Sequence, residues 1–273
     1  MSVVISGNVV LTDISGGGVI NADNPLIGYR NLVTSSNVAA TTQIAGFPAS
    51  NLANPSTNLR WQGQASGSDQ FITLALNTIE DVDYIGIARH NLGSAQIPVS
   101  IEALNSSSVW VPLVGPAGLP NDGPVLFRFV PQGITSIRIR MEPSLAAPTA
   151  AVVYAGKLLV LQRRIYVGHT PINLGRRAKI TNARSESGNF LGRIVLNETT
   201  ETSVQLQDLT PSWFRSQLDP FVEASKEQPF FFAWRPGSYP YEIGYCWMTN
   251  DPRPSNQRSN GMMQISFEMA GIV

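Results

Sequence analysis

The chain has 273 residues, of which 14% are charged, and its formal net charge is zero. This balance argues against general attraction to nucleic acid or anionic lipid, and the single cysteine, Cys246, excludes an intrachain disulfide. The first residues lack the basic region of a secretion signal, and no apolar run reaches the roughly 18 residues of a membrane span, so we expect a soluble protein made in the cytoplasm, without a membrane partner.

The N-terminal strip, residues 1–31, contains one predicted strand, Val3 to Leu11, and then a glycine-rich segment, Ser15 to Val19. These glycines suit a flexible turn. A phosphate-binding loop would need a helix directly after it, and the sequence indicates none. We therefore interpret the segment as a loop.

Apolar side chains recur at every second position in short segments between residues 47 and 161, and Gly, Pro, Asn or Ser clusters separate these segments. The pattern is typical of an antiparallel β-sandwich or barrel. In one segment, Ile137, Ile139 and Met141 would face the core while Arg138 and Arg140 face water. The predicted strands are Gln70 to Leu76, Val82 to Leu92, Pro98 to Leu104, Val109 to Leu113, Val125 to Val130, Ser136 to Met141 and Ala151 to Leu161.

Several polar and aromatic residues of this region invite a functional interpretation. We expect the Trp61 and Trp110 side chains to pack in or beside the core instead of stacking on a sugar, since an aromatic side chain buries much apolar surface. His90 ends a predicted strand, where a local hydrogen bond is the favoured role because His169 is remote in sequence. The loop Ala49 to Leu59 holds no carboxylate, so we predict no metal site there. The alternative to these structural roles is a glycan site at the loops of the sandwich. Its candidate residues are Trp61, Gln62, Arg89, His90 and Asn91.

A basic stretch follows from Arg163 to Arg193, where six Arg and one Lys stand against one Glu, a net charge of +6. It is either a contact surface or a solvated strand face. For a contact surface, an acidic protein partner is favoured over DNA because aromatic residues are scarce between the basic ones.

The last hundred residues predict a second domain. The segment from Gly192 to Leu209 indicates a strand, a polar turn and a second strand. A helix should follow, with Thr210 as its N-cap and Pro211 in its first position, and Pro220 should interrupt it. Two aromatic strands and a final alternating strand end the chain. Cys246, between Tyr245 and Trp247, is expected to be a small packed residue, since no histidine lies nearby to activate it.

The first region resembles the discoidin-like, or galactose-binding-like, jelly-roll family. The resemblance rests on the ASNL loop at Ala49 to Leu52, Trp61 after it, the IGIARHNL strand, the IEALNSSSVW hairpin and the IRIR strand. It implies a jelly-roll sandwich, and it gives no firm ligand because one such fold hosts many functions.

The last region contains PFFFAWRP, which begins at Pro229, followed by YPYEIGYCW. With these motifs as its most specific part, Lys179 to Val273 resembles the tube-like, ring-forming domain of distal tail and minor tail proteins of long-tailed bacteriophages. The order differs from that of distal tail proteins, which usually place the ring domain first. We predict three parts: residues 1–31 are a strip that completes the ring domain, residues 32–162 are the discoidin-like jelly roll, and residues 163–273 are the ring-forming domain. The predicted fold class is mainly β with one helix.

This second resemblance implies a structural subunit of a virion tail tip or baseplate. It implies a closed, hexameric ring that contacts the tail tube, the hub and other baseplate proteins, and that lets the genome pass without binding it. Host-surface glycan is the partner in the alternative reading. The residues that we predict at subunit contacts are Phe230, Phe232, Trp234, Arg235, Tyr239 and Tyr241, with Arg235 pairing an acid across the interface.

Catalytic motifs are missing from the sequence. No GxSxG, HExxH or metal-ligand cluster occurs, although the carboxylate pair of glycoside hydrolysis leaves no motif to search for. We predict that the protein is not an enzyme and needs no cofactor or metal.

Overall fold

The computed structural model describes residues 2–5, 23–165, 168–257, 259 and 261–273. The protein is mainly β, as predicted, and its strands form two eight-stranded sheets. The glycine-rich segment Ser15 to Val19 lies outside the described residues. The first sheet contains β1 (Ser2–Ile5), β3 (Val38–Ala40), β4 (Trp61–Gln62), β5 (Gln70–His90), β6 (Val99–Leu104), β7 (Trp110–Ala117), β8 (Val125–Met141) and β9 (Thr149–Gly156). The second contains β2 (Leu26–Gly28), β10 (Leu159–Val160), β11 (Arg176–Arg184), β12 (Phe190–Leu209), β13 (Phe230–Ala233), β14 (Ile243–Met248), β15 (Ser255–Asn256) and β16 (Met263–Ile272).

Two long strands, β5 and β8, bend the first sheet into a sandwich. The sequence predicted two separate strands in each of them, which is wrong, because the residues between the predicted strands pair with each other instead of forming turns: Glu80 lies opposite Ile134, and Asp81 opposite Gly133. The register shifts on either side of these pairs, as at bulges that bend a strand. The ends near Gln70 and Met141 pair with β3 and β6, whereas the other ends pair with β9 and β1.

The two halves of the folded sheet enclose one apolar core. Ile139 and Ile101 come from the half that includes β6, and Ile87, Phe127 and Val153 come from the half that includes β9. The predicted inward positions Ile137, Ile139 and Met141 are buried, which confirms the alternation. On the other side of β8, Arg138 lies between the Phe71 and Trp110 rings at 4.1 and 4.2 Å and pairs with Glu102, so it is half-buried and not simply solvated.

The second sheet carries a helical segment on one face. This segment consists of α1 (Pro211–Trp213), a π-helical turn (Phe214–Leu218) and α2 (Asp219–Ala224). It begins with Thr210 at the N-cap and Pro211 in the first position, as predicted, and the π turn directly precedes Asp219 and Pro220. Its apolar side chains pack on Phe230, Phe232 and Phe267 of the sheet. None of the helices that the structure describes has the length and hydrophobicity of a membrane span.

The opposite face of the second sheet packs on the half of the sandwich that contains β9. Tyr84 and Tyr154 of the first sheet meet Phe231 and Tyr245 of the second in a buried aromatic layer. Glycines make room for these rings: a Cβ at Gly86 would lie 2.6 Å from the Phe231 ring, and one at Gly28 would lie 2.7 Å from the Tyr84 ring. Since such contacts are too close for real Cβ atoms, the glycines set how tightly the sheets approach.

Strand β12 is continuous from Phe190 to Leu209, so the turn predicted within it is wrong. Its polar middle stays extended because Thr200 and Thr202 are buried and donate their hydroxyls to the carbonyls of Gly271 and Thr170. At the N-terminus, β1 pairs with β8 in the first sheet and β2 pairs with β10 and β13 in the second. The domain limits themselves stay a prediction.

Candidate functional site

Two of the residues predicted at subunit contacts belong to the protein's own core. Phe230 and Phe232 are 0% and 1% exposed, and the Phe230 ring packs edge-on against Phe221 at 4.9 Å. Strand β13 is an internal strand between β2 and β14, with the helix on one face and the sandwich on the other. Phe230 and Phe232 are therefore not available to a partner, which corrects their prediction as subunit contacts.

The other four predicted contact residues form a compact turn at the end of β13. The Trp234 and Tyr239 rings stack at 5.7 Å with an interplanar angle of 4°, and the Trp234 indole N–H donates to the Glu242 carboxylate. Arg235 pairs with Asp23 of the same chain at 3.0 Å. Tyr239 is 46% exposed, and the remaining member, Tyr241, is 59% exposed, so these two side chains remain accessible.

The candidate glycan residues Trp61 and His90 are neighbours in space, since both pair with Ala150 of β9. Trp61 is fully buried, and its indole N–H donates to the Thr42 carbonyl at 3.0 Å. His90 is buried too, and its Nδ1 accepts the Leu92 N–H at 3.2 Å. Burial lowers the pKa of His90 to about 4, which keeps the ring neutral. Trp61 therefore cannot be a stacking surface for a sugar, and the favoured interpretations of core packing and a local hydrogen bond are confirmed.

The polar residues of the same candidate site serve the fold or lie apart from the aromatic ring. Asn91 accepts the Thr149 N–H at 2.8 Å and donates to the Ala147 carbonyl at 2.9 Å, which ties two loops together. Gln62 is half-buried in β4, and Arg89 is exposed with a positive φ of 56°. The structure thus brings the five residues to one end of the sandwich without presenting an exposed aromatic among them.

A group of exposed apolar side chains lies on a β-hairpin that projects from the second sheet. Strand β11 pairs with β12 only from Phe190 to Thr200, whereas β16 pairs with β12 only from Thr200 onwards. The two-stranded part, residues 176–199, is called the arm below. It extends about 30 Å beyond the sheet at roughly 3.3 Å per residue. Five large apolar side chains on it are more than half exposed: Phe190, Leu191, Ile194, Val195 and Leu196.

These apolar side chains lie on both faces of the arm. Ile194 is 64% exposed opposite Thr181, and Val195 is 55% exposed opposite Ile180; adjacent residues of a strand point to opposite faces. The register shifts leave Leu196 and Leu191 without a partner in β11. The sequence analysis did not identify this surface, because Val204 and Leu206 alternate with polar residues as in a strand that is buried on one face. The available signal was the consecutive apolar residues Ile194, Val195 and Leu196, which break that alternation.

Cations accompany the apolar residues of the arm. The basic stretch, for which a contact surface and a solvated strand face were the two alternatives, contributes Arg176, Arg177, Lys179 and Arg184 to β11 and Arg193 to β12. Arg177 pairs with Glu201 at 2.9 Å, whereas the other four form no ion pair within the described part of the chain. The arm is therefore both apolar and positively charged.

Metal-ligand groups and the single cysteine were two possible sources of reactivity. No group of three or more His, Cys, Asp or Glu side chains among the described residues is placed to hold a metal ion. Cys246 is fully buried, and burial raises the pKa of its thiol, so the reactive thiolate does not form near neutral pH.

No protein-family model matches the sequence, and no curated protein matches it. Among solved structures, the chain is similar to chitosan-binding module 1 of a chitosanase/glucanase from Paenibacillus sp. IK-5, with 17% identity over 47% of this chain and 99% of that chain and a TM-score of 0.42. It is also similar to the family 32 carbohydrate-binding module of Clostridium perfringens NanJ in complex with galactose, with 19% identity, coverage of 46% and 97%, and a TM-score of 0.40. A third is the Clostridium perfringens module CpGH89CBM32-5 in complex with GalNAc-β-1,3-galactose, with 11% identity, coverage of 44% and 94%, and a TM-score of 0.39.

Proposed function

We propose that this protein is a structural subunit that assembles with copies of itself through the arm, and that the assembly is a ring at the tail tip of a long-tailed bacteriophage. The observation that carries the self-assembly is the exposure of apolar side chains on both faces of the arm. The place in the virion rests on the resemblance of residues 179–273 to ring-forming tail domains. The partners would be the tail tube, the hub and other baseplate proteins.

The arm is poorly suited to stand alone in water. A two-stranded hairpin is at best marginally stable by itself, and apolar surface exposed on both faces is typical of a surface that is covered in an assembly. Burying about 100 Å² of apolar surface contributes roughly 2.5 kcal/mol, so covering the five side chains would contribute on the order of 10 kcal/mol. Association itself costs about 4–15 kcal/mol. Assembly should therefore depend steeply on protein concentration.

A contact in which one copy gives its arm and the next receives it is heterologous, and such contacts close into rings when the rotation allows. Each copy in a closed ring makes two such contacts. A hexameric ring is the expectation from the resemblance, with the genome passing through it and the sandwich projecting outward.

The test is to make the arm polar without lowering its strand propensity. We expect wild type to form a discrete oligomer in light scattering after size-exclusion chromatography. The double variant Ile194→Thr with Val195→Thr should be monomeric at the same concentration with an unchanged circular dichroism spectrum. The matched control is Ile79→Thr with Val109→Thr, two exposed apolar residues outside the arm, which should assemble like wild type. A wild type that stays monomeric at high concentration would refute the proposal.

Glycan binding by the sandwich is a second candidate function, favoured by a surface depression of about 310 Å³. Two loops form it, joined by the bridge between Ser66 and Ser144, and the fully exposed Leu145 stands at its edge. An aliphatic surface beside two hydroxyls suits one face of a sugar ring. The lining residues are Ala65, Ser66, Gly67, Pro143, Ser144 and Leu145.

A glycan array tests this second candidate. Wild type should retain a defined set of glycans, and Leu145→Asp should lose them, whereas Leu59→Asp, at an exposed leucine outside the depression, should keep them. If wild type retains none, the sandwich is not a glycan-binding module, and the proposal of self-assembly is unaffected.

A further inference from the structure

The arm of one copy needs a surface on the next copy, and the charges of the chain point to one. We propose that the basic arm docks on the acidic outer surface of the helical segment of the neighbouring copy, around Asp219, Glu223, Glu227 and Asp251. This inference rests on the proposed self-assembly and deepens it, since it names the two surfaces that meet.

The receiving surface must belong to a second copy because the arm cannot reach its own helical segment. The tip of the arm lies at Phe190, whereas the helical segment begins at Pro211, directly after the other end of β12. Strand β12 separates the two by about 60 Å at roughly 3.3 Å per residue. The arm is also exposed along its length in the isolated chain, so no part of the same copy covers it.

The carboxylates of Asp219, Glu223 and Asp251 lie around Lys226, and Glu227 follows Lys226 directly in the chain. Asp219 and Glu223 are four residues apart in α2 and lie on the same face. Lys226 is within 2.9 Å of Glu223, and its pKa is raised by the hydrogen bond with Glu223 and by the nearby charges of Asp251 and Asp219. One lysine therefore has three carboxylates around it. Asp219, Glu227 and Asp251 form no ion pair within the described part of the chain, and all three are exposed.

The two surfaces complement each other in charge. The arm contains five basic residues against two glutamates, Glu186 and Glu198, which leaves a net charge of +3. The chain total is zero, so the remainder carries a net charge of −3. Because oppositely charged patches fix register and exclude wrong partners, the cations of the arm favour a copy of this chain over a neutral apolar surface. DNA is the competing anionic partner, and the arm has a single aromatic residue, Phe190, to stack on bases.

Complementary charge reversals test the contact. One variant carries Lys179→Glu and Arg193→Glu in the arm, and the other carries Glu223→Lys and Glu227→Lys at the helical segment. Each variant alone should assemble at least about tenfold more weakly than wild type, since like charges then meet. An equimolar mixture should recover wild-type assembly, because the reversed arm of one variant meets the reversed surface of the other. Circular dichroism checks that each variant is folded.

If the mixture fails to recover assembly, the proposed docking surface is wrong. The self-assembly proposal still stands in that case if the Ile194→Thr, Val195→Thr variant abolishes assembly. A wild type that never assembles refutes both. Binding of duplex DNA by wild type, lost on reversal of the arm while assembly is unchanged, also overturns the inference.

A zero-length cross-link gives a second, independent measurement without substitutions. The chain has three lysines, Lys157, Lys179 and Lys226, and Lys179 is the one on the arm. Carbodiimide treatment of mixed ¹⁴N- and ¹⁵N-labelled wild type should join Lys179 to Glu223, Glu227, Asp219 or Asp251 between differently labelled copies. Links from Lys179 to carboxylates elsewhere, and none to these four, would overturn the proposal.

Discussion

A single methyl group at Gly86 should loosen the contact between the two sheets. A Cβ at this position would lie 2.6 Å from the Phe231 ring. That ring is fully buried and is held by Tyr154 at 5.6 Å and Tyr245 at 5.1 Å, so it cannot swing away freely. Overpacking of this kind costs about 1–3 kcal/mol. We expect Gly86→Ala to lower the free energy of unfolding by about 2 kcal/mol.

The matched control is Gly115→Ala in β7, where an added Cβ would meet no atom within 4 Å. It should leave stability unchanged or raise it by less than about 1 kcal/mol, because alanine restricts the unfolded chain. Urea unfolding, followed by tryptophan fluorescence, measures both variants.

A double-mutant cycle identifies the cause. Phe231→Leu removes part of the ring that the new methyl group meets, so Gly86→Ala should cost less in its presence. We expect a coupling free energy of at least about 1 kcal/mol, as is usual for residues in contact. Additive effects, or a Gly86→Ala variant as stable as the Gly115→Ala control, would refute the reasoning that Gly86 is needed for the approach of the sheets.

Two further predictions concern groups buried in the fold. Burial raises the pKa of Asp83 to about 6 from 3.8, so Asp83 stabilises the native state at low pH and loses this effect as the pH rises through about 6. Burial lowers the pKa of His90 to about 4 from 6.5, so His90 stabilises the native state above about 6.5 and loses this effect as the pH falls through about 4. Between pH 4 and 6 the two groups change the free energy of unfolding in opposite directions as the pH rises. Relative to wild type, the free energy of unfolding of Asp83→Asn should therefore rise more steeply with pH, and that of His90→Asn less steeply. Urea titrations at each pH measure these slopes, and slopes that shift in the same direction in both variants would contradict the prediction. The buried thiol of Cys246, whose pKa is raised by burial, should react with a disulfide reagent only as fast as the protein unfolds, and rapid labelling of the native protein would count against the packed position.

Sequence reasoning succeeded where a residue's surroundings follow from its own strand or helix. The alternation at Ile137, Ile139 and Met141 predicted which side chains are buried, because successive residues of a strand face opposite sides wherever the strand lies. The start of the helix at Pro211 was predictable for a similar reason, since the N-cap and the first helical position have their own residue preferences.

It failed where the order of strands decides exposure. Phe230 and Phe232 were predicted at subunit contacts, and they are buried because β13 lies between β2 and β14. Conversely, the segment from Gly192 to Leu209 was predicted as two strands around a polar turn, and the side chains around Ile194 are exposed because β16 stops pairing with β12 at Thr200.

By itself the sequence determined that the protein is mainly β, where its apolar alternation lies, and that the region from Arg163 to Arg193 is basic. Only the tertiary structure decided which apolar residues are left without a covering layer, and therefore that the arm, and not the aromatic strand β13, exposes apolar side chains. The physical reason is that burial depends on how many layers cover a residue, and the layers here come from segments far apart in the chain.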